Sequence, residues 1–282
     1  APTLLNATYK TTAANRILVV LVPAPAERMR DMLAAGLADI AAGSISITER
    51  NRAVADFSAP TMTGLKILVV TGPGAPELKS VDDLSGRPVW VNPVTRVKDD
   101  VEALNVRLKA AGKAPAIVKE TDPALEPGDV LEMVNAGMYP ITLAPSTLAA
   151  FWAQVFSDVK VRSDLVVGED VELGWALQKG APKLKAFVDG FLETHRVGTS
   201  FGNTVMRRYL KEAKYVRNAT TPNEMRKFGD TAEIFRKYGD KYDVPYLLLV
   251  AHAYQESRLD QRAKSAAGAI GIMQIKPSTA AD

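Results

Sequence analysis

A single acid, Glu256, stands where an apolar run ends in the stretch VPYLLLVAHAYQESRLDQRAKSAAGAIGIMQIKPSTAAD, residues 244–282. Two readings are open for it. A Glu near a helix end, flanked by Gln255, Ser257 and Arg258, is commonly a solvated carboxylate. A Glu seated on an apolar stripe at a helix C-terminus is disfavoured as an anion by desolvation and by the negative end of the helix dipole. An acid kept protonated in that way suits general acid catalysis.

The element that must position it is a helix over Tyr246–Tyr254, apolar on nearly every side apart from His252 and so expected to be buried. Asp243 reads as its N-cap and Pro245 fits the first turn, where a missing N–H costs nothing. Leu249, Ala253 and Glu256 follow at i, i+4 and i+7, which stacks the acid on one stripe. Downstream, Ser265, Gly268 and Gly271 lead into Gly271-Ile272-Met273-Gln274, and Pro277-Ser278-Thr279-Ala280 opens another helix.

Gln255-Glu256-Ser257 and Gly271-Ile272-Met273-Gln274, at this separation, resemble the two motifs of the soluble-lytic-transglycosylase domain, the goose-lysozyme-like enzymes that cut peptidoglycan glycan strands. The resemblance implies that Glu256 protonates the oxygen between N-acetylmuramic acid and N-acetylglucosamine, then acts as base while the muramoyl 6-hydroxyl closes a 1,6-anhydro ring. That scheme uses no second protein carboxylate, unlike the usual glycosidase pair. It also implies that Ser257, Gly271, Met273 and Gln274 line the substrate groove; Met273 also suits plain core packing. The family fold carries a further helical portion with a Tyr-containing motif, so the 282 residues alone are expected to be an incomplete catalyst.

Length and composition, with 47% hydrophobic and 24% charged residues, fit an ordinary globular chain of two domains or one large one. No apolar run reaches the ~20 residues of a spanning helix, and no signal-peptide pattern is found. The absence of cysteine excludes disulfides and thiolate metal sites. With His195 and His252 the only imidazoles, no metal site and no cofactor are expected. Net charge is −3 over residues 1–195 and +6 over 196–282, an asymmetry that suits an anionic polymer such as peptidoglycan. Nucleic acid is not expected, for want of any motif or aromatic–basic interleaving.

Along the chain, residues 1–15 show no period. Arg16–Val22 reads as a buried parallel strand, Pro25–Ala35 as a helix and Asp39–Ala42 as a short strand. Strands alternating with helices indicate an open α/β sheet. The phrases DIAAGSISITERNRAVADFSAP (39–60) and SVDDLSGRPVWVNPVTR (80–96) resemble the two lobes of the amino-acid-type periplasmic solute-binding proteins of family 3. By that resemblance Thr63–Gly72 is a strand crossing between lobes, Val130–Gly137 a helix ahead of the GMYPITLAPS strand, and Leu173–Gln178 the returning strand. Lys183–His195 is a helix with Leu184, Phe187, Val188, Phe191 and Leu192 on one face. Such proteins close two lobes over a ligand. The family's carboxylate-binding Arg, three residues after the Thr of the Ser-Ile-Thr phrase, is replaced here by Asn51, flanked by Arg50 and Arg52. Ser44, Ser46, Arg50, Asn51 and Thr95 are the candidate cleft contacts, the hydroxyls being equally suited to turn formation.

The expected architecture is thus an α/β bilobal periplasmic-binding-protein-like module over 1–210, with lobe one at 1–65 and 172–210 and lobe two at 66–171. A helical linker over 211–243 follows, read as short helices Asn203–Glu212, Pro222–Phe228 (capped by Thr220-Thr221) and Ala232–Tyr242, then an all-α, lysozyme-like segment over 244–282. The expected function is non-hydrolytic glycan cleavage with a ligand-sensing module; the alternative is a solute-binding or sensory protein without activity. The expected partners are peptidoglycan strands and a small molecule or muropeptide in the cleft. The expected location is the periplasm of a Gram-negative bacterium, at the outer membrane through a lipid anchor outside this chain.

Overall fold

The computed structural model describes residues 2–211, 213, 216 and 222–281. The chain falls into two compact units, Ala1–Leu210 and Lys211–Asp282.

The first unit is built on one mixed sheet of seven strands: β1 (Ile40–Ser46), β2 (Asp56–Phe57), β3 (Met62–Thr71), β4 (Pro88–Val91), β5 (Ile117–Glu120), β6 (Ile141–Pro145) and β7 (Lys160–Leu177). Their order is β1-β7-β3-β6-β4-β5, with β2 also on β7. The pairs β4/β5 and β4/β6 are parallel, and all pairs involving β7 or β3 are antiparallel. Only β3 and β7 run the length of the sheet. The start of β3 pairs near the end of β7, Met62 with Leu173, and its end pairs with the start, Thr71 with Lys160. One lobe gathers on β4, β5 and β6; the other gathers on β1, β2 and the last residues of β7.

The continuous apolar run in β3 follows from burial on both faces. Ile67 and Val69 enter one core cluster with Val89, Val91, Val101 and Leu104, while Val70, pointing the other way, joins Leu131, Val134 and Ala144. At the far end of β7 Ala176 and Leu177 alternate likewise. Ala176 packs with Leu33 and Phe57, and Leu177 packs with Val188 and Leu192 of the helix Pro182–His195. That helix buries the face that its 3.6-residue repeat marks out, with Leu184, Phe187 and Phe191 beside the same cluster.

Arg16–Val22 is not a strand. The segment takes no place in the sheet, and Leu18, Val20 and Leu21 are 73, 78 and 88% exposed. Its backbone is engaged locally instead. The Asn6 amide, on a helix Pro2–Thr8, donates to the Ile17 carbonyl at 2.9 Å and accepts from the Ile17 N–H at 2.8 Å. A β-rich composition supplies the side chains of a strand but not the neighbouring edge that pairs with it.

In the second unit, a single 21-residue helix, Pro222–Tyr242, replaces the short helices expected there. Gly229 does not interrupt it, because a helical glycine costs only about 1 kcal/mol and Phe228 and Phe235 pack on either side of it. Thr220, Thr221 and Glu212 lie outside the described residues. The stretch read as a linker is therefore one arm of a helical hairpin. Phe235 packs with Val250, Ala253 and Tyr254 of the second arm, Tyr246–Ser257. The link between the arms explains why Asp243 is no N-cap. It lies at φ +54° as the left-handed residue after the first helix, and the Val244 N–H donates back to the Gly239 carbonyl at 2.9 Å. Gly239 permits that closure, since a Cβ there would lie 2.6 Å from the Val244 carbonyl oxygen. Pro245 takes the N-cap position instead. Among the described residues no helix is long and apolar enough to cross a membrane.

Candidate functional site

The helix carrying Glu256 buries only one face. Val250, Ala253 and Tyr254 are covered, together with Leu259 beyond the helix end, whereas Leu247 and Leu248 are 56 and 50% exposed. The expectation of a helix buried all round fails, and with it the expectation of a desolvated acid: the Glu256 side chain is exposed. The reason is angular. The covered face is centred on Val250, Ala253, Tyr254 and Ser257, and Leu249 and Glu256 stand on its flank.

Ser257 holds the helix end and the following turn together. Its hydroxyl donates to the Ile272 carbonyl at 2.8 Å, lies 3.2 Å from the Ala253 carbonyl, and accepts from the Asp260 N–H at 3.1 Å. This pins the helix end to the Gly271–Gln274 turn. The next two residues, Arg258 and Leu259, both adopt left-handed backbone, at φ +56° and +57°. Such conformations cost of order 1 kcal/mol or more each for non-glycine residues. Burial of the Leu259 side chain, worth roughly 2 kcal/mol, offsets the strain.

The turn is similarly self-contained. Gly271 at φ +77° and Gln274 at φ +48° give it its shape, and the Gly271 N–H donates to the Ala263 carbonyl at 2.9 Å. The Gln274 amide donates to the Gly271 and Ala263 carbonyls at 2.9 and 3.1 Å, and the Gln261 amide oxygen accepts from the Ile272 N–H at 3.3 Å. Met273 packs against the hairpin core. The residues expected to line a groove are thus occupied in building the support. The short helix Pro277–Ala281 follows as expected.

The first unit carries a cleft of about 370 Å³ lined by Thr48, Glu49, Arg50, Arg96, Asp99 and Asp100. Of the expected contacts whose side chains are described, Arg50 lines it and Ser46, Asn51 and Thr95 do not. Asn51 turns back on its own loop, its amide donating to the Ser46 carbonyl at 2.9 Å and its N–H capped by the Thr48 hydroxyl at 3.2 Å. The Thr95 hydroxyl closes a turn onto the Asn92 carbonyl at 2.9 Å. Ser46 is half-buried on β1; Ser44 lies on the same strand, its side chain outside the described residues. Arg96, Asp99 and Asp100 were missed, although their i, i+3, i+4 spacing at the start of the helix Arg96–Ala110 puts them on one face.

Arg96 holds Asp100 at 3.1 Å, while Arg50 reaches Asp99 at 3.0 Å. Burial raises the Asp100 carboxyl above its ordinary value, against the lowering effect of the Arg96 hydrogen bond. A native value above the unfolded one means that the native state keeps the proton longer. This group's contribution to stability therefore falls as pH rises from roughly 4. Asp100→Asn should remove that slope, so the unfolding free energy of the variant minus that of wild type should increase with pH above roughly 4 in urea melts. A difference flat with pH would show that Asp100 is not desolvated. Among the described residues no cluster of three or more His, Asp or Glu could hold a metal ion.

Residues 4–204 match the bacterial extracellular solute-binding proteins, family 3, and residues 233–282 match the Transglycosylase SLT domain. The chain is 28% identical over 244 residues to the membrane-bound lytic murein transglycosylase F of Ectopseudomonas mendocina, covering 85% of this chain and 48% of the relative. It is 24% identical over 255 residues to the protein of the same name from Desulfosudis oleivorans, covering 87% and 53%. The chain thus spans about half the length of the curated relatives it matches. Among solved structures, an ancestral arginine-binding protein bound to arginine superposes with a TM-score of 0.56 at 20% identity, covering 68% of this chain and 80% of that one. An amino acid ABC transporter substrate-binding protein from Streptococcus pneumoniae bound to L-arginine gives 0.57 at 17% identity, covering 74% and 79%. These likenesses establish the bilobal α/β fold of the first unit. By its match over 4–204 the chain belongs to the bacterial extracellular solute-binding proteins, family 3, and that module is followed by a segment of the Transglycosylase SLT domain.

Proposed function

We propose that the protein cleaves the β-1,4 bond between N-acetylmuramic acid and N-acetylglucosamine in peptidoglycan without water, with Glu256 as acid and base and the bilobal module sensing a ligand. The observation that carries this reading is the docking of the Glu256-Ser257 helix end onto the Gly271–Gln274 turn through the Ser257–Ile272 hydrogen bond, inside the segment that matches the Transglycosylase SLT domain. In the reaction the Glu256 carboxyl gives its proton to the glycosidic oxygen as the bond from C1 breaks. The muramoyl 6-hydroxyl oxygen then bonds to C1 and its proton returns to Glu256, so no water is consumed.

Ser257, Gly271 and Gln274 act as positioning residues in this scheme, and the cleft at Arg50 takes a small molecule or muropeptide. The names of the relatives, membrane-bound lytic murein transglycosylases, support membrane association, and the periplasmic side of the outer membrane is the place this reading assigns. Digestion of peptidoglycan in ¹⁸O-water by the full-length protein tests the chemistry. Muropeptides one water lighter than hydrolysis products, and free of ¹⁸O, are expected. Reducing-end products carrying ¹⁸O would overturn the reading. The exposure of Glu256 favours a second reading for the 282 residues, a ligand-sensing module with a structural tail, which predicts no product of either kind.

A further inference from the structure

We propose that the Arg50–Asp99 ion pair is a latch between the two lobes of the solute-binding module, which a ligand entering the cleft has to break. Arg50 lies on the helix Glu49–Arg52, which follows β1 in one lobe. Asp99 lies on the helix Arg96–Ala110, which follows β4 in the other. The two side chains meet at 3.0 Å across the cleft, from positions 49 residues apart in the chain. The other pairs around this helix stay within one lobe: Arg96 with Asp100 one turn on, and Lys98 with Glu120 of β5 at 2.8 Å. Among the described residues Arg50–Asp99 is the ion pair lining the cleft that joins the lobes, which β3 and β7 connect covalently.

The neighbourhood explains why Arg50 is free to do this. Asn51 is turned inward onto the Ser46 carbonyl, so the guanidinium facing the opposite lobe belongs to Arg50. Asp99 supplies from within the chain the carboxylate that Arg50 would otherwise take from a ligand. A ligand carboxylate thus competes with Asp99, and its affinity is lowered by the fraction of molecules in which the pair is made. The pair is roughly one-third exposed on both sides, at 39 and 35%, so its bias is modest: about two- to five-fold in the ratio of closed to open molecules. This inference concerns the solute-binding module alone and stands whether or not the protein cleaves glycan.

The chain has no cysteine, so spin labels can be placed by Leu37→Cys in one lobe and Val106→Cys in the other, both 69% exposed. Pulsed distance measurements at low salt should show Arg50→Gln and Asp99→Asn each shifting about two- to five-fold of the population ratio toward longer separations. The double variant should go no further than either single one. Lys98→Gln, which removes a charge next to Asp99 on the same helix but breaks a pair made within one lobe, should leave the distances unchanged. Raising salt to about 1 M should lengthen the wild-type distances but not those of Asp99→Asn. Unchanged distances in both single variants, an equal shift in Lys98→Gln, or additive effects in the double variant would overturn the latch.

Discussion

Glu256→Gln in the full-length protein should reduce release of anhydromuropeptides by at least about 100-fold, the lower end of what a positioned general acid contributes. The amide has nearly the same shape as the carboxyl but can neither give its proton to the glycosidic oxygen nor take one from the muramoyl 6-hydroxyl. Both halves of the reaction are lost together. Stability should not follow. The side chain is exposed and lies on the flank of the buried face, and surface substitutions of that kind stay within about 0.5 kcal/mol. A melting temperature equal to wild type beside an absent product separates a chemical role from a structural one. Undiminished anhydromuropeptide release would remove Glu256 from the mechanism.

Gly72→Ala should destabilise the solute-binding module by about 3 kcal/mol, the upper end of ordinary overpacking. Gly72 follows β3, where its N–H donates to the Pro140 carbonyl at 3.0 Å. A Cβ at this position would lie 2.1 Å from the Val134 carbonyl oxygen and 3.0 Å from the carbonyl carbon. The obstacle is backbone near the end of the helix Pro127–Asn135, so no rotamer change relieves it. Either that helix lifts from β3, exposing Val134 and Leu131, or the strand end moves. For a module of this size the expected drop in melting temperature is roughly 6–12 °C, read from the transition of the first unit. A variant melting like wild type would mean that helix and strand do not approach this closely.

Legibility in the sequence divides along physical lines. The helix Pro182–His195 could be read because Leu184, Phe187, Val188, Phe191 and Leu192 recur at its own period and need one apolar surface, whichever it is. The strands β3, β6 and the end of β7 are placed by the resemblance to the solute-binding proteins, and β3 does carry the apolar run that a strand buried on both faces requires. The same rule misled at Arg16–Val22, where an equally apolar run has no strand edge to pair with. The helix Tyr246–Ser257 misled in the same direction: eight apolar residues out of nine suggested burial on all sides, yet Leu247 and Leu248 face solvent.

The candidate sites show the same division. Glu256-Ser257 and Gly271–Gln274 stand out as residue types at a spacing, and the structure brings the two stretches into contact through Ser257. That Ser257 and Gln274 spend their polar groups on carbonyls of the support was not readable, because it depends on which carbonyl the folded turn presents. In the cleft, counting positions identified Asn51 and Arg50 as the pair to examine. Only the folded loop, with Ser46 behind Asn51 and Asp99 across from Arg50, assigned one to the turn and the other to the opposite lobe.

By itself, then, the sequence determined the two modules, their order, the elements that repeat at their own period and the acid at the helix end. These are properties carried by residues within a few turns of one another. The tertiary structure alone decided what is covered and what each polar group bonds to: the exposed flank of Glu256, the open run at Leu18–Leu21 and the Arg50–Asp99 contact. Burial and pairing are relations between surfaces far apart along the chain, and no local pattern encodes which surface will arrive.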